Sequence, residues 1–236
     1  HRDLHVRSRR QRQMCIRDRG ESCEEMAKTW NISREAQDQL AFESQEKAAK
    51  AYEEGWYKDS VVEFKGFKKD GILRAAPLEK LAKLKPAFDK SSGKGTITAA
   101  NATALTDGAS CVFLCSEEYA KENNLTPTAY LTYAQSAAVN YVEDEGLLMA
   151  PAYAVPKMLK KAGLTLQDFD FYEIHEAFAA QVLCTLEAWK SDDFCKNKLG
   201  LEAALGEIDF KKLNVKGGSL ALGHPFAATG GRIVTS

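Results

Sequence analysis

The spacing of apolar residues predicts helices at several places along the chain. From Ser33 to about Tyr52, small and apolar residues recur every four positions, and Gly55 is placed to end that helix. A later helix is expected to stop at Gly163, because glycine readily adopts the left-handed conformation that closes a helix. The predicted helices cover residues 33–52, 78–84, 117–123, 150–162 and 177–189.

Short apolar runs between these helices predict strands. Pro225 is then expected to start one more helix, because proline suits the first helical position. Strands that alternate with helices are typical of an α/β protein with a largely parallel or mixed sheet. The predicted strands cover residues 61–64, 110–115, 129–139, 169–174 and 215–222.

Arginine and lysine are distributed very unevenly. Residues 1–19 hold seven of the ten arginines and no lysine, whereas residues 20–236 hold all 22 lysines. Arginine-rich, acid-poor composition is found in transit peptides and in arms that bind nucleic acid, but residues 1–19 lack an amphipathic apolar face. Residues 10–19 also resemble translated adapter sequence. We therefore interpret residues 1–19 as a non-native segment, from which no targeting signal can be inferred.

The remaining composition is that of a globular protein with one large or two modest domains. Hydrophobic residues make up 44% of the chain, and no apolar run approaches a membrane span. We expect two domains, at residues 20–123 and 124–236, joined near Asn124–Pro127. The chain stops at Ser236 inside the last predicted helix, so the second domain is expected to be truncated.

The cysteines predict neither a metal site nor a disulfide. None of the five cysteines after residue 19 belongs to a C-x-x-C pair. Cys111 and Cys115 lie four residues apart on a predicted strand, which separates them by about 13 Å, too far to share a metal or a bond. Free thiols are therefore expected.

A basic section follows the first predicted strand. Residues 65–94 carry nine basic and three acidic residues, although residues 20–236 as a whole carry 25 basic and 31 acidic residues. Such a run is either a solvated face or a docking surface for a ligand with phosphates. Nucleic acid is not expected as a partner, because the domain is not net basic and holds few aromatic residues in this section.

Two histidines, His175 and His224, are the only ones after residue 19. Each follows a predicted strand and precedes a predicted helix, where α/β proteins build their sites. His224 follows Gly218-x4-Gly223, which has phosphate-loop spacing but lacks the lysine and hydroxyl residue of that loop. Ala179 excludes the zinc motif H-E-x-x-H for His175. The pattern alone supports a capping or core role at least equally well for either histidine.

Longer motifs resemble one enzyme family. Residues 214–232, Asn-Val-Lys-Gly-Gly-Ser-Leu-Ala-Leu-Gly-His-Pro-Phe-Ala-Ala-Thr-Gly-Gly-Arg, resemble the thiolase signature N-x-x-G-G-x-x-x-x-G-H-P-x-G-x-x-G-x-R, with Ala228 close to a usual glycine. His175-Glu-Ala-Phe178 resembles the thiolase N-E-A-F motif in the H-E-A-F form of the trifunctional-enzyme β subunit and its bacterial relatives. Residues 78–88 and 95–109 also resemble thiolases, in the family's order.

The resemblance implies a layered αβαβα fold, incomplete at both ends, and acyl transfer in fatty-acid β-oxidation. In that reaction a cysteine attacks an acyl-CoA thioester, and a second cysteine takes the α proton of acetyl-CoA. His224 would activate the first cysteine and donate to the thioester oxygen, and His175 would hold a water that supplies a second donor. Coenzyme A thioesters are the substrates, and no cofactor or metal is implied.

The resemblance assigns weaker roles to four other residues. Phe178 would line the acyl pocket, and Thr103 would contact the pantetheine arm. Arg74 lies in the loop region that receives the coenzyme A nucleotide, and Gly223 lets the substrate approach the backbone closely.

The family further implies partners and a compartment. A homodimer or higher oligomer is expected, together with a hydratase/dehydrogenase α subunit for the H-E-A-F form. The compartment would be the cytoplasm in a bacterium and the mitochondrion in a eukaryote. Three alternatives stay open: a non-catalytic thiolase-like protein that binds coenzyme A or lipid, a structural subunit of a complex, and a ketoacyl synthase relative.

Neither reactive cysteine of the family has a counterpart in this sequence. The nucleophile would precede residue 20, and the second cysteine would follow Ser236. We expect residues 20–236, expressed alone, to cleave no 3-ketoacyl-CoA, measured as acetyl-CoA release. Release above that of a protein-free blank would contradict this expectation.

Overall fold

The computed structural model describes residues 18–74, 76–141 and 146–236. Short 3₁₀ turns lie at Trp56–Lys58, Leu166–Asp168 and Phe210–Lys212. The helices are α1 (18–29), α2 (Arg34–Glu53), α3 (Leu78–Leu81), α4 (Glu117–Glu122), α5 (Ala150–Ala162), α6 (Ala179–Lys190), α7 (Asp192–Asn197), α8 (Ser219–Leu222) and α9 (Thr229–Thr235).

Most of the predicted helices are confirmed, because local signals mark their ends. The Ser33 hydroxyl accepts a hydrogen bond from the Ala36 N–H at 3.1 Å, as expected of an N-terminal cap of α2. Gly163 ends α5 in the left-handed conformation, with φ at 67°. The predicted helices at 117–123 and 177–189 correspond to α4 and α6, and only one turn, α3, forms in the region 78–84.

The strand predictions were largely wrong. Among the described residues, the strands are Leu105–Thr106 (β1) and His224–Pro225 (β2), which pair in parallel. Residues 110–115 and 129–139 contain no assigned strand. Residues 215–222 contain α8 instead, because a continuously buried apolar run has no period that separates a short helix from a strand.

The expectation that Pro225 starts a helix was also wrong. Pro225 lies in β2, and the last helix, α9, begins four residues later at Thr229. Ala227, at a φ of 66°, makes the turn between them. His224 therefore stands in an extended segment rather than at the mouth of a helix.

The predicted strands at residues 169–174 and 61–64 form only isolated bridges. Tyr172 bridges Leu213 in parallel, with N–H to carbonyl hydrogen bonds at 2.9 and 2.8 Å through Lys212 and Asn214. The Asn214 side chain continues this pairing: its oxygen accepts from the Ile174 N–H at 2.8 Å, and its amide donates to the Ile174 carbonyl at 2.9 Å. The segment that leads to His175 is thus held beside the loop that leads to His224. Residues 61–64 contribute only a bridge from Phe64 to Phe67.

Residues 101–106 connect the two histidine-bearing segments. At one end, Ala102 bridges Phe178, and the Thr103 N–H donates to the Ala177 carbonyl at 3.0 Å. At the other end, the His224 N–H donates to the Ala104 carbonyl at 2.9 Å. One extended segment therefore sets the positions of both histidines.

Helix α6 lies at the centre of the packing. Its residues are buried on more than one face, as expected of a helix enclosed by others. Val182 packs in a cluster with Leu40 of α2 and Leu159 of α5, whereas Cys184 packs in a second cluster with Met26 of α1. Because α6 starts directly after residues 174–178, the packing of α6 in the core also holds the segment that carries His175.

A fully buried carboxylate joins three parts of the fold. Glu176 is 1% exposed and accepts hydrogen bonds from the Ser44 hydroxyl of α2 at 2.7 Å, the Asn214 amide at 2.6 Å and the Leu220 N–H of α8 at 3.0 Å. Burial raises the pKa of Glu176, whereas these three donors favour its ionised form. The contacts cross the predicted domain division at 123/124, which stays a prediction.

Across the described residues, no helix combines the length and the apolar character that crossing a membrane requires. The longest of them, α2, carries charged residues along its length.

The close packing at Glu176 predicts the effect of one methyl group. A Cβ at Gly218 would overlap the Glu176 carboxylate, although the backbone of Gly218, at a φ of −120°, suits any residue. We expect Gly218→Ala to lower the free energy of unfolding by about 1–3 kcal/mol, the usual cost of overpacking. Urea unfolding followed by tryptophan fluorescence measures it.

The matched control is Gly230→Ala. Gly230 lies in α9, and a Cβ there meets no heavy atom within 4 Å. Because alanine favours helix by up to about 1 kcal/mol over glycine, this variant should be unchanged or more stable. Equal stability of the two variants would show that the carboxylate does not confine Gly218.

Candidate active site

His175 and His224 lie against each other. Their ring centroids are 4.2 Å apart, with the rings tilted by 49°. His175 lies in the extended residues that precede α6, and His224 lies on β2 directly after α8 and Gly223. The structure therefore brings together the two histidines that the sequence singled out, and places both in partly buried positions.

The His224 ring is held by the turn that follows it. Its Nδ1 lies 2.7 Å from the Thr229 Oγ1, and that hydroxyl donates to the Pro225 carbonyl at 3.1 Å. Since the hydroxyl proton is directed to the carbonyl, Thr229 accepts from His224 and Nδ1 carries the proton. The Nε2 lone pair is then free to take a proton from a reactant. Phe226 also packs against the ring, with the two centroids 4.7 Å apart.

The His175 ring is held by α8. Its Nδ1 lies 2.8 Å from the Ser219 Oγ, and the Arg232 guanidinium donates to the same hydroxyl at 2.9 Å. Burial, followed by the His224, Arg232 and Arg19 charges, lowers the pKa of His175 to about 4. His175 is therefore a neutral imidazole at physiological pH.

The surrounding charges act in the same direction on both histidines. Burial lowers the pKa of His224 as well, and the positive charges of Arg19 and Arg232 add to this effect. The Arg19 guanidinium lies 5.0 Å from the centroid of the Phe226 ring. Beside the site, burial raises the pKa of Glu173 to about 7, against the opposing charge of Arg232. The site thus combines neutral imidazoles with a cationic rim.

Thr103 and Gly223, both predicted to bind substrate, lie in the backbone around the pair. The Thr103 hydroxyl donates to the Ser219 carbonyl at 2.5 Å, so it holds α8 in place. Gly223 adopts a φ of 84°, and a Cβ there would meet the side chains of Thr106 and Ile72. This close packing, as well as the left-handed backbone, requires glycine at 223. Their contacts with a substrate stay a prediction.

Phe178 and Arg74 contact residues other than the two histidines, and their surroundings differ. Phe178 is 7% exposed and packs edge to face on Phe88 in the core, at a centroid distance of 5.9 Å. Arg74 is exposed, and its backbone N–H donates to the Gln45 side chain at 2.8 Å. The predicted roles, in the acyl pocket and at the nucleotide, stay predictions.

The basic loop before Arg74 borders an open cavity of about 700 Å³. Lys68 and Lys69 line it, together with Tyr52 of α2 and Asp70. The Tyr52 hydroxyl donates to the Asp70 carboxylate at 2.7 Å and ties the loop to α2. Ile72, on the same loop, packs beside Gly223, so the loop adjoins the segment that carries His224.

Sequence reasoning missed the residues that orient the histidines. Glu176 was named only as part of the H-E-A-F motif, and it lies in the extended residues before α6, which begins at Ala179. Ser219, Thr229 and Arg232 were noticed only as letters of a motif. One signal was available: two hydroxyl residues and an arginine lie within eight residues of His224 in an apolar, glycine-rich stretch.

Two buried cysteines are not suited to act as nucleophiles. Cys23 and Cys184 are buried, and burial raises the pKa of Cys23 well above its ordinary value and that of Cys184 to about 12. Such thiols stay protonated and are poor nucleophiles. In residues 18–74, 76–141 and 146–236, no group of three or more histidine, cysteine or acidic side chains is arranged to hold a metal.

The low pKa of His175 predicts its titration. We expect the His175 ring signals to show a midpoint near pH 4 in an NMR titration, because burial disfavours the imidazolium. His224→Asn removes a neighbouring cation and should raise that midpoint. A wild-type midpoint above pH 6 would contradict the burial of the ring.

Since the unfolded histidine titrates near its ordinary 6.5, this residue's contribution to stability is lost as pH falls from about 6.5 to about 4.

Comparison with known proteins identifies the family. Residues 7–118 match the thiolase N-terminal domain and residues 125–236 match the thiolase C-terminal domain. A 3-ketoacyl-CoA thiolase of Yersinia pestis is 45% identical over 228 residues, which is 92% of this chain and 50% of the relative. The chain thus spans about half the length of the curated relatives it matches.

Solved structures give the same result. The Bacillus anthracis acetyl-CoA acetyltransferase superposes with a TM-score of 0.73 at 37% identity, over 91% of this chain and 51% of that one. A thiolase of Ascaris suum, in complex with coenzyme A, superposes with a TM-score of 0.72 at 35% identity and the same coverage. The expected α/β, thiolase-like fold is therefore confirmed, although the described strands are few. The chain belongs to the thiolase family.

Proposed function

We propose that this chain supplies the histidine pair of an acyl-CoA C-acyltransferase, a 3-ketoacyl-CoA thiolase of fatty-acid β-oxidation. The observation that carries the proposal is the contact of His175 and His224 at 4.2 Å, with Nε2 of His224 left free by Thr229. The reaction cleaves 3-ketoacyl-CoA into acetyl-CoA and a shortened acyl-CoA, or joins them in the reverse direction.

The chemistry explains why two imidazoles are needed. The reaction passes through an enolate and through tetrahedral species that carry negative charge on a thioester oxygen. Donors that already point at that oxygen stabilise the charge without reorganising, and removing one such donor typically costs about 2.7–4 kcal/mol of transition-state stabilisation. His224 would serve as one donor after it has taken a proton, and His175 as support for the second.

The neutral state of both rings suits this chemistry. A lone pair on His224 Nε2 is available at physiological pH, because burial and the neighbouring arginines disfavour the imidazolium. When His224 removes a proton from a thiol, the resulting cation lies directly beside the new negative charge. Because burial and the neighbouring arginines disfavour this cation, it readily returns its proton to a departing group, as general acid–base catalysis requires.

Coenzyme A thioesters are the proposed substrates, and no separate cofactor is proposed. Support comes from the Ascaris suum thiolase, which was solved with coenzyme A, and from the basic loop that adjoins Gly223. In this proposal Arg74, Lys68 and Lys69 attract the phosphates of the nucleotide, Thr103 lies along the pantetheine arm, and Phe178 borders the acyl chain.

The proposal extends to partners and compartment. A homodimer or higher oligomer is proposed, with a hydratase/dehydrogenase α subunit as a further partner; the H-E-A-F motif at His175 supports the latter. The Yersinia relatives are bacterial and favour the cytoplasm over the mitochondrion as the compartment.

The test is thiolysis by the longest protein that the gene encodes. We expect acetyl-CoA release from a 3-ketoacyl-CoA, and a loss of turnover on the order of 10³-fold in His224→Ala, which removes both base and donor. Lys211→Ala, at an exposed position, is the matched control and should retain wild-type turnover.

Calorimetric titration with coenzyme A separates the alternatives. A protein that binds coenzyme A but shows no thiolysis would be a non-catalytic relative. Turnover that survives His224→Ala would reject the proposed role of the histidine pair and point to a structural subunit.

A further inference from the structure

We infer that Ser219 and Arg232 are positioning residues that keep the proton of the neutral His175 imidazole on Nε2. The inference deepens the proposed function and rests on it for one point only, the identity of the group that accepts from this N–H. In a thiolase reaction that group is the thioester oxygen or the water bound to it. The position of the proton itself follows from the hydrogen bonds around Ser219.

The Ser219 hydroxyl has two polar neighbours. Arg232 Nη2 lies 2.9 Å away and His175 Nδ1 lies 2.8 Å away. A guanidinium group has donors only, so Ser219 must accept from Arg232. Its own proton then remains to be placed.

Burial decides where that proton goes. Ser219 is 0% exposed, and buried donors nearly always have a partner. Within the described part of the chain, His175 Nδ1 is the remaining hydrogen-bond partner of this hydroxyl. If Nδ1 carried the ring proton, Ser219 would accept twice and its own proton would be buried without an acceptor. Ser219 therefore donates to Nδ1, and the ring proton lies on Nε2.

The charge on Arg232 strengthens this arrangement. A hydroxyl that accepts from a cation becomes a better donor, because hydrogen bonds in a chain polarise one another. The same cation, with His224 and Arg19, disfavours a second proton on His175. We call the hydrogen bonds from Arg232 to Ser219 and from Ser219 to His175 the relay. The relay keeps one proton on Nε2 of the His175 ring, and the nearby positive charges disfavour a second proton on Nδ1.

The two rings receive opposite tautomers. Thr229 donates to the Pro225 carbonyl and accepts from Nδ1 of His224, so His224 Nε2 is a lone pair. Ser219 donates to Nδ1 of His175, so His175 Nε2 is an N–H. One neighbouring hydroxyl per ring is enough to make one imidazole an acceptor and the other a donor at the same site.

The experiment is long-range ¹H–¹⁵N NMR of the full chain labelled with ¹⁵N-histidine, at a pH where both rings are neutral. The chain has four histidines, so the spectrum is simple, and His175→Asn and His224→Asn assign the two ring patterns. We expect His175 to show a protonated Nε2 and a bare Nδ1, and His224 the reverse.

Variants separate the relay from general structural effects. In Ser219→Ala and Arg232→Met, the Nε2 preference of His175 should fall roughly tenfold, the equivalent of one hydrogen bond of about 1.4 kcal/mol. The His224 pattern should stay unchanged in Ser219→Ala. Thr229→Val is the reciprocal variant, which should weaken the Nδ1 preference of His224 and leave His175 as it was.

The wild-type spectrum decides the inference even if a variant fails to fold. A proton on Nδ1 of His175 would overturn it, as would an unchanged preference in a folded Ser219→Ala protein. Because this measurement needs no turnover, absence of thiolysis with the expected tautomers would reject the proposed function and leave the relay intact. Thiolysis together with a proton on Nδ1 of His175 would reject the relay and leave the proposed function intact.

Discussion

The position of the two histidines depends on the buried carboxylate of Glu176. A charge without partners would be costly in this environment, and three donors from α2, Asn214 and α8 offset that cost. Each donor would lose about 1–3 kcal/mol if left buried and unpaired. The carboxylate and its partners are therefore stable only together. Since His175 precedes Glu176 and Ser219 precedes Leu220, the same contacts bring the first ring and its orienting hydroxyl into register.

The electrostatics of the site follow from this packing. Arg232 lies close enough to Glu173, Glu176 and His175 to affect the pKa of each, and it also donates to Ser219. One partly buried cation thus favours ionised carboxylates and neutral imidazoles at the same time. A site with this balance can hold lone pairs and N–H donors side by side without a net positive charge on its rings.

The sequence was informative where local rules apply. The cap at Ser33 and the stop at Gly163 were predicted because each depends on residues within one turn. The strands were not predicted correctly, because strand pairing depends on residues distant in sequence. The apolar run in residues 215–222 fits a strand or a helix equally well, and in the structure it forms α8, which packs on α2. The histidines could be singled out by their rarity and motif. Their tautomers could not, because Ser219 and Arg232 meet His175 only in three dimensions.

The single extended segment at residues 101–106 has a mechanical consequence. Its Thr103 N–H donates to the Ala177 carbonyl of the His175 segment, and its Ala104 carbonyl accepts from the His224 N–H. The backbone supports of the two rings are therefore two adjacent residues, Thr103 and Ala104, of one segment. A change that shifts this segment acts on the supports of both rings at once.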